Sequence, residues 1–357
     1  MKTFLERKLI RGSFVLVLAF GLFNFFHFLF QFFMARMLTI SDYGILATLF
    51  SIIYIMLIFT ESIQTVITKY SANEKNAGKL KNLFKKSNKK AFFISLFVFL
   101  IYLIISVPVS FIIKIDYFLL SLNGLVVFLS FFVPIGRGIM QGRKRFASLG
   151  LNVLVEAVFK LIFGVLLVFL GFAVYGAMVG VLLGGVLALL FSLFQLKDVI
   201  KSKEEKAEIF DIYNYAKKTL NITAIIVIFY SLDVIIAKII FSPEIAGAYA
   251  IASILGKIIF WGTLPVSKAM FPMSADNSMD KNKSRNLLFN ALGIVLLGIF
   301  LALSAFFFFS DVIINIFSGK FVSEAVSILF YVGIAFGLIS ITNLILLYKL
   351  SIGKTKG

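Results

Sequence analysis

Polar and ionisable side chains recur at helical spacing inside long apolar runs, and these are the residues that could do chemistry. Asn24, His27 and Gln31 stand at i, i+3 and i+7 in the first run. Glu61, Gln64, Thr65 and Thr68 share one face of the second, and Asn152, Glu156 and Lys160 step by four along the fifth. Thr223, Tyr230 and Asp233 lie on one face of the seventh; Tyr249, Ser253, Lys257 and Trp261 repeat every four residues in the eighth. Residues three and four apart overlie one another on a helix, so each set is a stripe. Such a stripe is costly against hydrocarbon and is expected to line a shared cavity or a helix interface. Its chemistry is recognition rather than bond making: ammonium groups hold anions, amides and hydroxyls hydrogen-bond, and carboxylates take up a proton or Na⁺.

Each feature also has a structural reading. Glu156 and Lys160 are spaced to pair on their own helix. A single histidine in an apolar run is commonly a satisfied interior residue. Arg36 and Lys238 sit at the outer ends of their runs, where long cations snorkel to lipid headgroups; read functionally, they are outer-gate groups. Glu61 and Asp233 have no obvious partner nearby in sequence and stand, with Glu156, as coupling or counter-charge candidates. Asn24, His27, Gln31, Lys160 and Lys257 are the substrate-cavity candidates. Gly176, Gly180 and Gly184 form a small-residue face, which means helix packing. The lysines of 75–90 read as a topology signal and anionic-lipid contact. One histidine and no cysteine argue against a metal site, and no catalytic set or cofactor motif is present. Gly353-Lys354-Thr355 resembles the end of a phosphate loop, but Tyr348 stands where its first glycine belongs and no strand precedes it, so nucleotide binding is rejected.

The elements that must position these residues are membrane helices. The 357 residues are 61% hydrophobic, with a formal charge of +18. A spanning helix needs roughly 20 apolar residues. Ten runs qualify: 13–35, 44–67, 91–113, 117–140, 149–172, 175–196, 216–240, 247–271, 287–309 and 323–348. They are too long and too evenly apolar for barrel strands. The first exceeds the core of a signal peptide and is read as a retained span. Cationic and cation-poor connections alternate without a break, which predicts both termini in the cytoplasm of a cytoplasmic-membrane protein. The positive excess is therefore assigned to cytoplasmic loops and membrane lipid, not to nucleic acid.

The chain also repeats itself. Ala35-Arg36 leading to Asp42-Tyr43-Gly44 is echoed by Ala237-Lys238 leading to Glu244 and Gly247, and Ser71-Ala72 by Ser274-Ala275, at a near-constant offset. The spacing predicts a six-helix lobe over 1–200, a cytoplasmic linker over 201–218 and a second lobe over 219–357. By the same offset, that second lobe stops where its fourth helix would turn into a fifth and so lacks its last two helices, as a truncated product or a ten-helix variant would.

Several pieces together resemble the polysaccharide (Wzx-like) flippase family, which sits with MATE exporters and lipid II flippases in one superfamily. Ala35-Arg36-Met37-Leu38 with Asp42-Tyr43-Gly44 resembles the family's first outer loop. The hairpin Gly136-Arg137-Gly138-Ile139-Met140-Gln141-Gly142-Arg143-Lys144-Arg145-Phe146 resembles its cytoplasmic turn between helices four and five. Lys160-Leu161 with Gly171 and Val174-Tyr175-Gly176-Ala177 resembles its fifth and sixth helices; Leu232-Asp233 with Lys238 and Gly247-Ala248-Tyr249 resembles the start of its second half. The resemblance implies an all-α polytopic membrane protein of the MATE-like fold, with two pseudo-symmetric lobes. It implies a transporter, not an enzyme, passing a lipid-linked oligosaccharide through a central cavity. Such a substrate has an anionic diphosphate neck, and Lys160 and Lys257 lie near mid-depth of their runs; H⁺ or Na⁺ is the expected coupling ion. The alternatives are a MATE-type exporter of drugs or organic cations, for which acids should dominate the cavity, and an inactive truncated fragment.

Overall fold

A computed structural model describes residues 2–206, 227–274 and 281–351. Among them are helices and connecting turns only. The helices are α1 (Lys2–Met37), α2 (Ile40–Asn73), α3 (Ala77–Ile113), α4 (Tyr117–Ser130), α5 (Val133–Gly142), α6 (Phe146–Leu167), α7 (Ala173–Gln195) and α8 (Lys197–Lys201). They continue with α9 over 227–240, then α10 (Pro243–Ser274), α11 (Lys281–Phe308), α12 (Ser310–Ser318) and α13 (Ser323–Ser351).

Eight described stretches are long and apolar enough to cross a membrane. One of them, Phe146–Gln195, is 50 residues long and holds two crossings, α6 and α7. A π-turn, Val168–Phe172, joins these two, and the chain reverses through Gly171 at φ 91° and Ala173 at φ 44°. These nine crossings match nine of the ten expected apolar runs, and α9 is the described part of the seventh run. The protein is a multi-pass membrane protein. Part of the seventh run, including Thr223, most of the expected linker, Ala275 and the tail from 352 lie outside the described residues.

Two expected loops turn out to be helix. Stretch 75–90 read as a basic loop, yet α3 starts at Ala77 under an Asn76 cap whose side chain accepts from the Gly78 and Lys79 amides. With 37 residues at 1.5 Å per residue, α3 outruns the ~30 Å hydrocarbon core, so its first turns stand in water. Gly136 to Gly142 likewise belongs to α5, the continuation of α4 past a break at Phe131–Phe132. Pro134 in the first turn of α5 has no amide to donate, which favours a restart there. Only residues 143–145 turn, with Lys144 at φ 56°.

The chain divides into two compact units: residues 1–38 with 49–223, and residues 39–48 with 224–357. In the first, α6 packs against α1 and α7, α4 against α3 and α7, and α8 against α3. An apolar cluster closes its basic end, joining Leu80 and Leu83 of α3, Ile139 and Met140 of α5, and Leu149 and Val153 of α6. In the second, α10 packs against α11 and α13, with α12 laid on α13. The opening turn of α2 belongs to this unit: Tyr43 is buried against Phe317 at 6.4 Å between ring centroids, and Gly44 meets the Gly247 backbone. These are the two glycines that the sequence spacing pairs. Large apolar side chains such as Phe111 (79% exposed) and Phe169 (79%) cover the outside, as a lipid-facing surface requires.

Candidate functional site

The fifth-run stripe is the centre of the first unit. Asn152 and Lys160 are buried and Glu156 half-buried along α6. Glu156 does not pair with Lys160. Its Oε2 accepts from Arg137 Nη2 at 2.5 Å, and Arg137 Nε donates to Asn152 Oδ1 at 2.8 Å. Asn152 passes its own protons on to the Ala188 carbonyl at 2.8 Å and to Gln195 Oε1 at 3.3 Å. Arg137 comes from α5, and reading it as a hairpin cation missed its role; its place inside an apolar run was the available signal. Gly138 and Gly142 let α5 reach this position, since a Cβ there would stand 2.7 Å from the Ile67 Cβ or 2.5 Å from the Thr68 carbonyl of α2.

One turn further along α6, Lys160 Nζ lies 2.6 Å from His27 Nδ1 on α1, and His27 Nε2 lies 3.0 Å from the Tyr54 hydroxyl on α2. An ammonium has donors and no lone pair. It therefore donates to Nδ1, which places the ring proton on Nε2 facing Tyr54. The Lys160 charge also lies 5.0 Å from the Phe30 ring centroid and 5.9 Å from that of Phe50, attractive geometries for a cation over a π face. Among the described residues no carboxylate oxygen lies within ion-pairing distance of Lys160. Gln31 is buried one turn beyond His27, while Asn24 is exposed on the other side.

The second-run stripe divides in two. Gln64 Nε2 and Thr68 Oγ1 both donate to Gln141 Oε1 of α5, at 2.9 and 3.2 Å. Glu61, Thr65 and Lys69 stand exposed on the next face. An acid within a spanning helix faces polar protein groups or a water-filled cavity rather than hydrocarbon.

In the second unit, Asp233 on α9 is the hub. It accepts from Ser253 Oγ at 2.5 Å and from Lys257 Nζ at 3.2 Å, both on α10. Lys257 is buried and lies 4.7 Å from the Tyr230 ring centroid and 5.5 Å from that of Phe336. Trp261 Nε1 donates to the Tyr230 hydroxyl at 2.7 Å. Tyr249 also hydrogen-bonds Asp233 through its side chain, so all four residues of the eighth-run stripe meet one or both of the described polar residues of the seventh. Of the outer-end cations, Lys238 is buried, whereas Arg36 is exposed with its guanidinium carbon 4.5 Å from the Phe32 ring centroid.

Outside the spans, charge fastens the ends of the helices. Arg145 clamps Asp198 through both guanidinium nitrogens, which holds the Asp198 carboxyl below the usual carboxylate range. At the opposite end Asp116 caps α4 and accepts from the Tyr175 hydroxyl, and that bond, with the amides it caps, lowers its pKa. The basic start of α3 is also partly spent inside the unit. Lys81 Nζ donates to the Ser202 carbonyl at 2.7 Å, Lys85 Nζ to Glu204 at 2.6 Å, and Asn76 Nδ2 to Glu205 at 2.7 Å.

No curated protein matches the chain in sequence. In structure it is similar to a multidrug resistance MATE family transporter of the MOP superfamily in an inward-facing conformation, with TM-score 0.70 at 13% identity, over 93% of this chain and 81% of that one. It is similar to the lipid II flippase MurJ in an inward closed conformation, with TM-score 0.68 at 14% identity, over 96% and 77%. A eukaryotic MATE transporter gives TM-score 0.67 at 12% identity, over 98% and 84%. Identities this low establish the fold, which is the MATE-like fold of MOP-superfamily transporters. The family of polysaccharide biosynthesis proteins matches residues 33–327, and the chain belongs to that family.

Proposed function

We propose that the chain is a flippase that moves a polyprenyl-diphosphate-linked oligosaccharide across the cytoplasmic membrane by alternating access, with both termini inside. One observation carries the reading. Lys160 is a buried ammonium inside the helices whose hydrogen-bonding partner is a neutral imidazole rather than a carboxylate. The nearest acid along its helix, Glu156, is committed to Arg137. A buried cation with no carboxylate in direct contact is suited to a ligand that brings an anion, and a diphosphate neck does so. After desolvation such a pairing is worth about 1–3 kcal/mol. Lys257 is the second candidate cation, but Asp233 already neutralises it. The exposed face of Glu61, Thr65 and Lys69 supports a hydrated path along α2. Glu61 and Asp233 are the acids proposed to take up H⁺ or Na⁺.

Export in a strain lacking the chain, read as glycan at the cell surface, tests this. Lys160→Gln is expected to abolish export and Lys160→Arg to keep part of it; wild-type export by Lys160→Gln refutes the role of this cation. Lys257→Gln alone leaves a partly buried carboxylate unpaired, so it is compared with the double change to Lys257→Gln and Asp233→Asn. Export restored in the double variant makes Lys257 a structural partner of Asp233, not a ligand for the neck.

A second reading, export of an organic cation, is favoured by the exposed Glu61 carboxylate. It requires Glu61→Gln to abolish efflux of a cationic dye, with surface glycan unchanged in cells lacking the chain.

A further inference from the structure

We propose that Lys160, His27 and Tyr54 form one proton-linked anion site, in which capture of a phosphoanion by the Lys160 ammonium lets His27 take up a proton. The inference rests on the reading of Lys160 as the group that meets the diphosphate.

The geometry sets up the linkage. With Nζ donating to Nδ1 at 2.6 Å, the ring is held neutral with its one proton toward Tyr54. A second ring proton would have to sit on Nδ1, directly against the ammonium. Two cations at that distance in a low-dielectric interior repel strongly. The pair therefore holds one positive charge when the site is empty. An arriving phosphoanion offers several acceptor oxygens. Once Nζ turns to them, Nδ1 loses its donor and regains a free lone pair, and the anion compensates a second positive charge. The imidazole then accepts one proton from water at Nδ1 and becomes a further donor toward the anion. No other bond changes, and departure of the anion returns the proton to water.

The surroundings leave few other groups to take that proton. Helix α2 contributes Tyr54, whose hydroxyl stays the acceptor for Nε2–H. Helix α5 contributes Arg137 and α6 contributes Glu156, and these two are bound to each other. Helix α7 presents Gly180 and Gly184, whose missing Cβ atoms would stand against the Lys160 backbone. Phe23, Phe30 and Phe50 complete the walls.

His27 is the single histidine of the chain, so nitrogen-15 labelling of histidine gives one imidazole and an unambiguous assignment. The whole protein in nanodiscs of neutral phosphatidylcholine at neutral pH is expected to show the Nε2–H tautomer alone. Saturating pyrophosphate is expected to replace that signal with the doubly protonated ring, and Lys160→Arg to keep the response. Lys160→Met, which keeps the length and loses the charge, is expected to lose the response and to release the tautomer preference even without anion. A doubly protonated ring in phosphatidylglycerol nanodiscs without pyrophosphate also supports the site and names a lipid headgroup as the anion. Pyrophosphate bound by phosphorus-31 shift with the imidazole unchanged overturns the proposal and leaves the flippase reading standing. Failure to bind either anion overturns it as well, and the export assay with the Lys160 variants then decides the flippase reading separately.

Discussion

The Arg137 guanidinium serves two acceptors on α6 at once, and its removal should strand both. Arg137→Ala leaves Glu156 as a half-buried carboxylate with no counter-charge at that place. Loss of one partner of a fully buried pair costs about 3–5 kcal/mol; partial exposure reduces that here to about 2 kcal/mol. The expected outcome is a lower melting temperature in detergent, recovered in part by adding Glu156→Ala, as a double-mutant cycle would show. Arg145 and Asp198 should behave differently, because they lie in water. The Asp198 pKa is lowered in the fold. A carboxylate of that kind contributes stability above its unfolded value near 4, and the contribution is lost as pH falls through the lower folded value. With the Asp198 side chain 55% exposed, the pair is worth less than about 1 kcal/mol. Asp198→Asn should therefore lower the melting temperature slightly and equally at pH 7 and 6, with the difference from wild type closing only below about pH 4.

At the scale of elements, glycines decide how closely the polar helices approach. On Gly184 of α7 a Cβ would stand 2.7 Å from the Glu156 carbonyl and 3.0 Å from the Lys160 amide and Cβ. These are backbone and near-backbone atoms that cannot swing aside. Gly184→Ala should push α7 off the turn of α6 that carries both charges, costing about 1–3 kcal/mol and reducing export. Gly293→Ala on α11 is the control, because a Cβ there meets nothing within 4 Å; no loss of melting temperature or export is expected. The segment after α8 gives a second test. It is held to α3 by the Glu204 contacts with Asn82 and Lys85 and by the Glu205 amide donating to the Gly78 carbonyl at 3.2 Å. The change of Glu204→Ala with Lys81→Ala removes the two Glu204 bonds and the bond from Lys81 to the Ser202 carbonyl, and should speed proteolytic cleavage near 202–206 several-fold while leaving the melting temperature within a degree or two.

For the whole molecule, the spans and the alternating charges of their connections make a prediction about sidedness. A reporter fused after Ser351 should be active only in its cytoplasmic form, and one inserted at Lys320, between α12 and α13, only in its external form. The reverse pattern would overturn the orientation while leaving the fold intact. Helices longer than the hydrocarbon core keep the cationic first turns of α3 in the aqueous phase, which is where the positive charge of the connections acts.

Apolar length, loop charge and helical period are local properties, and they alone determined the spanning runs, the all-helical class and the residues that belong to each stripe. The recurrence of Ala35 with Ala237 and of Gly44 with Gly247 was legible for the same reason. Which stripe meets which was decided by tertiary structure. Glu156 and Lys160 are spaced to pair, yet Arg137 from α5 takes the carboxylate and His27 from α1 takes the ammonium. Asp233 looked partnerless along its own run and is bound by Ser253 and Lys257 of the next helix. Spacing along one helix places side chains on a face; which partner a buried charge finds depends on the neighbouring helix that comes close enough, and here glycines on α5 and α7 set that approach.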